Sequence, residues 1–284
     1  MSIDNQNNPL ANIRLMTPPW LKYPNLSECT IGWRMGYGED YQYQFLDWLD
    51  TLDSKQQKQY QALFPYPSFW LYKQWEKRVI ADDDEYYIEG VDLWLNHGMM
   101  KYNKQQYINS PDNHEFVFFG QDSTENTDNA CLNLWHSLPF SRDIFDYLYI
   151  GQYIIAEKAQ VFENDELAKQ ITKTADPQQI MALDKQIKNF NPVIWDKVKY
   201  SVALNAYYYK FSQHQALRDF LLSTDDKILV FADPTDDVWG IGATQNHNIC
   251  DILAWRGENL LGFSLMEVRD ELRALYQNYQ LCSF

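Results

Sequence analysis

Apolar residues recur at helical spacing over most of this chain. Tyr41, Phe45, Trp48 and Leu52 fall four, three and four apart, which predicts an amphipathic helix. Asp53 or Ser54 is placed to cap the next one, SKQQKQYQALF, which Pro65 stops. Further on, residues 149–162, 165–174, 177–189, 193–210 and 215–222 predict helices, with Pro177 as a first-turn proline. A last helix starts near Asn259 and carries Leu261, Leu265, Val268, Leu272 and Leu275 in one stripe. Only two stretches read as strands, 115–119 and 227–232. Residues 1 to about 20 read as a polar arm ending in Pro18 and Pro19. The Asp-, Asn- and Ser-rich stretch after Ser110 has turn composition and sets a boundary. The expected fold is mainly α, an α+β chain with a few short strands. A helical, aromatic-rich N-terminal region (1–112) precedes a second domain (113–284).

Composition narrows the partners. The 284 residues suffice for one large domain or two small ones, and 45% are hydrophobic. Acidic residues outnumber basic ones 39 to 24, a net charge of -15. That argues against nucleic acid and against an anionic membrane surface, both of which need basic patches. Aromatics at 16% exclude a disordered chain. Four cysteines without a C-x-x-C pair are ordinary for a reduced chain. The start is polar with no apolar signal region, and no run is long enough to span a membrane. The expectation is a soluble, cytoplasmic protein. The acidic run Asp82 to Glu85 has no histidine nearby and reads as a solvated face rather than a metal site. Nothing in the sequence calls for a metal or a cofactor, and nothing sets the oligomeric state.

General catalytic motifs are missing: there is no G-x-S-x-G, phosphate-binding loop, H-E-x-x-H or dinucleotide fingerprint. The five histidines are scattered. Two stretches stand out. DPTDDVWGIG at 233–242 follows a strand and offers carboxylates for acid–base work beside Trp239, a ring to stack on; it reads equally as a turn with a buried tryptophan. In WRGENLLGFSLMEVR at 255–269, Asn259 is a natural N-cap. The N–H groups beyond it, with Arg256, suit a phosphate; an ordinary capped core helix fits as well. Gly262, one turn in, signals close packing or close ligand approach.

Taken in order, these segments resemble the NADAR (YbiA-like) family. The matching pieces are FVFFG at 116–120, LNLWHSLPF at 132–140, GQYIIAEKAQVF at 151–162, Trp195, YKFSQHQALRDFLLST at 209–224, PTDDVWGIG at 234–242 and the 255–269 segment, spanning about 115–275. The resemblance implies a helical N-glycosidase fold that hydrolyses an N–C1′ bond to ribose. The implied partner is a small ribosylated molecule, either a riboflavin-pathway intermediate or an ADP-ribosylated base or nucleotide. It also implies Asp236 and Lys158 as catalytic residues, with Trp239, Lys210, Tyr153, Trp195, Asn259, Arg269 and Phe119 binding substrate.

Two positions depart from the family pattern. Where E-Q-Y-M-M-A-x-K-A has its glutamate this chain has Gly151, and where E-A-x-P-x-D-x-x-W-G has its first acid it has Phe231. Glu157 lies six residues past Gly151, about 240° round a helix, and so cannot stand in. Two alternatives to the enzyme follow: a module that binds ADP-ribose or a flavin precursor without turnover, and a glycohydrolase acting on ADP-ribosylated guanine in DNA, which the net charge disfavours.

Overall fold

A computed structural model describes residues 9–28, 30–70, 100–110, 114–120, 128–244 and 249–283. The acidic run Asp82 to Glu85 lies outside them. The first segment holds helices α1 (Pro19–Lys22), α2 (Gly32–Met35), α3 (Tyr37–Asp50), α4 (Ser54–Leu63) and α5 (Lys104–Ile108). Asp53 caps α4: its carboxylate accepts from the N–H groups of Lys55 and Gln56, and Gln56 reaches back to the Asp53 N–H. Residues 15–20 are not a solvated arm; they are buried. Leu15, Met16 and Trp20 join the core, and the hydroxyls of Tyr41 and Tyr60 donate to the carbonyls of Thr17 and Met16 at 2.7 and 2.6 Å. The polar residues around them hid that apolar face in the sequence.

The remainder runs β1 (Phe116–Phe119), β2 (Phe140–Arg142), β3 (Phe145–Tyr147), α6 (Ile150–Val161), α7 (Asp165–Thr172), α8 (Pro177–Asp184), α9 (Pro192–Gln213), α10 (Gln215–Ser223), β4 (Ile228–Phe231) and α11 (Leu260–Tyr276). The molecule is mainly α, as expected. β1 and β4 pair in parallel with Phe119 opposite Phe231. The antiparallel β2–β3 hairpin was not foreseen; its strands are too short for a period-two pattern. α9 is the central helix: nearly every residue from Trp195 to Ser212 that faces a neighbour is buried, including three consecutive tyrosines, 207–209. A helix apolar on all sides belongs in a core, and α6 and α11 pack against it.

Helix α11 ties the two halves of the chain together. Its Glu267 accepts from the Tyr200 hydroxyl at 2.8 Å and from the Lys101 N–H. Asp270 accepts from the Tyr102 hydroxyl at 2.6 Å, and Glu271 from the Ser68 N–H at 2.6 Å and its hydroxyl. A single hydrophobic cluster runs from Leu10 to Leu275. Among the described residues no helix is long and apolar enough to cross a membrane.

Candidate functional site

The sheet edge at the C-terminal ends of β1 and β4 opens into a cleft of about 210 Å³. Ligands collect at such ends because the chain leaves the sheet there in loops. One wall is the loop after β4, bearing Asp233 and Asp236 beside Phe231. The other is the loop 131–136, bearing Asn133 and Trp135, with Met181 of α8 alongside.

The first loop is rigidly braced. The Ile241 N–H donates to the Phe231 carbonyl at 3.0 Å, and the N–H groups of Glu258, Asn259 and Leu261 donate to Asp237, Gly240 and Trp239. Asp236 Oδ1 accepts from the N–H groups of Val238 (2.9 Å) and Trp239 (2.7 Å). Among the described residues its Oδ2 makes no hydrogen bond, so the carboxylate is oriented through one oxygen. Asp233 is buried, with Oδ1 accepting from the Thr235 N–H (2.8 Å) and hydroxyl (2.6 Å).

The second loop is held from three sides. Asn133 donates to the Gly120 carbonyl at 2.7 Å. The Gly151 N–H donates to Leu134 at 3.0 Å. Lys210 Nζ donates to the His136 carbonyl at 2.6 Å. Consequently Trp135 lies over the first turn of α6: a Cβ on Gly151 would stand 2.9 Å from its ring. The volume that the family glutamate would claim is occupied by an indole.

Of the residues named from sequence, Asp236 lines this cleft, and Trp239 adjoins it through the backbone N–H that Asp236 accepts. The others stand elsewhere. Asn259 caps nothing with its side chain: it sits at φ 57, fully buried, donating to the Leu229 carbonyl and accepting from the Phe231 N–H, both at 2.9 Å. The first N–H groups of α11 are taken by loop carbonyls, and Arg256 spends its Nε and Nη2 on the carbonyls of Gly242 and Pro234. The phosphate site considered for this segment is therefore closed. Gly262 answers to packing, since a Cβ there would meet the Leu229 carbonyl at 2.0 Å. Arg269 is buried, donating to the Thr224 hydroxyl and the Lys227 carbonyl. Phe119 is buried behind Phe231, ring centroids 5.4 Å apart. Tyr153 is buried, its hydroxyl accepting from Arg142 at 3.0 Å. The same Arg142 pairs with Glu157 at 2.9 Å, so Glu157 is committed on its own face of α6.

The two lysines differ in kind. Lys158 pairs with Asp184 at 2.8 Å and lies over the rings of Phe190 and Trp195. It stands two turns along α6 from Gly151, roughly 10 Å by helix geometry. Lys210 is wholly buried beneath the 131–136 loop, and burial pushes its amine down to about 7. The sequence reading did not name Trp135 as a cleft residue, and of the acids in 233–242 it singled out Asp236 and not Asp233. The signal for the first was available: a glycine where the pattern asks for a glutamate implies a bulky neighbour in its place.

Residues 117–273, which contain the cleft, match the NADAR domain. The chain is similar to N-glycosidase R617 of Acanthamoeba polyphaga mimivirus, 34% identical over 164 residues that make up 55% of this chain and 96% of that protein. It is 35% identical to protein irg-1 of Caenorhabditis elegans over 124 residues, 43% of this chain and 58% of the relative. N-glycosidase Npun_R5314 of Nostoc punctiforme is 32% identical over 126 residues, 44% of this chain and 74% of the relative.

Proposed function

The chain belongs to the NADAR family, and from that premise we propose that it is an N-glycosidase, a cytoplasmic hydrolase that cleaves the N–C1′ bond of a ribosylated small molecule. The observation that carries this reading is Asp236: a carboxylate in the loop after β4 that lines the cleft and is fixed through Oδ1 by two backbone N–H groups. N-glycoside hydrolysis passes through an oxocarbenium-like state at C1′. A fixed carboxylate stabilises that charge and takes the proton of the attacking water. Trp135 and Phe231 give flat walls for the base. The relatives named N-glycosidases support the reaction type.

The test is release of ribose, ribose 5-phosphate or ADP-ribose, followed by mass spectrometry. The panel holds riboflavin-pathway intermediates and ADP-ribosylated guanosine. Asp236→Asn keeps the Oδ1 acceptor and hence the loop, and is expected to lose about 100-fold or more in kcat. Turnover within twofold of the parent would refute the assignment of Asp236.

A second reading has its own observation. Neither family glutamate position carries a carboxylate, and Trp135 fills the space at Gly151. A module that binds its ligand without cleaving it fits that arrangement. Calorimetry showing tight binding with no product after prolonged incubation would favour it, and measurable turnover would end it.

A further inference from the structure

A second cavity lies in the first half of the chain, outside residues 117–273, among α1, α3, α4 and the chain that follows α4. Its volume is about 360 Å³, within the range of small-molecule pockets and far above the voids that packing leaves in a core. The floor is aromatic. Trp20 and Tyr66 lie with ring centroids 4.2 Å apart. Phe45, Tyr60 and Phe64 continue the surface, Tyr60 standing 5.9 Å from the first and 4.9 Å from the second. The Tyr60 hydroxyl is spent on the Met16 carbonyl, so this residue presents its ring. One face of α4 supplies a polar edge: Ser54, Gln57, Lys58 and Gln61 fall at helical spacing along it. Gln57 is held in place by donating to the carbonyls of Leu49 and Leu52 at 3.0 and 3.2 Å.

Two groups in this lining ask for a partner. Trp20 is 4% exposed, and its Nε1–H is buried with no acceptor among the described residues. A buried indole N–H ordinarily has one. Lys58 is exposed at the rim and supplies a cation to the lining. We propose that this cavity binds a planar heteroaromatic carboxylate. Its rings lie on the aromatic floor, an in-plane ring nitrogen accepts from Trp20 Nε1–H, and the carboxylate faces the Lys58 ammonium. The site stands apart from the cleft, and its assignment does not rest on the glycosidase reading.

Three probes of one shape separate these contacts. Quinoline-4-carboxylate has both the ring nitrogen and the charge. Naphthalene-1-carboxylate lacks the nitrogen, and quinoline-4-carboxamide lacks the charge. Each is titrated into the full chain by calorimetry, and the set is repeated on Lys58→Gln and Ser54→Phe. Both positions are exposed, so the fold is kept, which an unchanged urea midpoint verifies. Quinoline-4-carboxylate is expected to bind with a Kd below about 1 mM, the scale for a small fragment. Each analogue is expected to bind about fivefold more weakly, as for the loss of one polar contact. Lys58→Gln should weaken the carboxylates about fivefold and leave the carboxamide unchanged, and Ser54→Phe should abolish binding by filling the mouth. Carboxylate binding that survives Ser54→Phe lies elsewhere and overturns the site. An analogue bound as tightly as quinoline-4-carboxylate overturns the ligand class, and no binding by any probe overturns the proposal. None of the probes has a glycosidic bond, so each of these outcomes leaves the glycosidase reading to its own test.

Discussion

Gly151 is an empty position with a full neighbourhood. Its missing Cβ would touch the Trp135 ring at 2.9 Å, so restoring the family glutamate by itself overpacks the first turn of α6. Gly151→Glu is expected to lose about 1–3 kcal/mol in urea unfolding, the usual cost of inserting atoms into a packed site. The same substitution combined with Trp135→Ala should cost less than the two changes summed, because they are in contact. Lys210 gives a second residue-level expectation. Burial lowers its folded value to about 7, below the value in the unfolded chain. The unfolded chain therefore binds the proton more tightly, and stability rises with pH from about 7 upward. Lys210→Met should accordingly stabilise the protein more at pH 6 than at pH 9, read as a shift in urea midpoint. At this scale the sequence showed Asp236 well, since an acid three residues before a tryptophan in a strand-exit loop is a recognisable pattern. Gly151 hinted at a bulky neighbour without naming Trp135, and the carboxylates of 233–242 did not single out Asp233, because both placements depend on how two loops meet in space.

The crossing of α11 over β4 is tightly constrained. Gly262 lets the helix reach the Leu229 carbonyl, and Asn259 bridges the backbone of residues 229 and 231 as a strand neighbour would. Asn259→Ala leaves a buried carbonyl and a buried N–H unpaired, at about 1–3 kcal/mol each. It also puts alanine at φ 57, a conformation that asparagine tolerates better. A loss of about 3 kcal/mol or more is expected from guanidinium unfolding. Elements of this kind were legible to different degrees. α9, α10 and α11 announced themselves because long buried faces repeat with helical period. α8 stops at Asp184, short of 189, where the chain turns out of the helix with the Gln186 and Ile187 N–H groups donating to Leu183 and Asp184. Asn259 was readable as a helix start, but its side-chain partners lie some thirty residues away and leave no local trace.

The molecule as a whole carries -15 of formal charge, yet it is the buried acids that couple its halves. Burial raises Glu271, which holds Ser68, above the usual carboxylate range. The folded state then binds that proton more tightly than the unfolded chain. Its contribution is fully present below the unfolded value and is lost as pH rises through the folded one. Glu271→Gln should therefore flatten the pH dependence: the parent's margin over the variant is greatest below about pH 4, the unfolded carboxylate range, and shrinks as pH rises, by denaturation midpoint. The N-terminal half was legible in its helices and opaque in its docking, since Ser68 and Lys101 bond to side chains more than 160 residues away. One contact at this scale has a mechanical meaning. Leu15 and Cys282 pair in parallel, and the Ser283 N–H donates to the Leu15 carbonyl at 2.9 Å. In a parallel pair the two flanking chains leave from opposite ends. A pull applied across them loads the clasp in shear rather than peeling it open, so the bonds at Leu15 would share the force before any reaches the core.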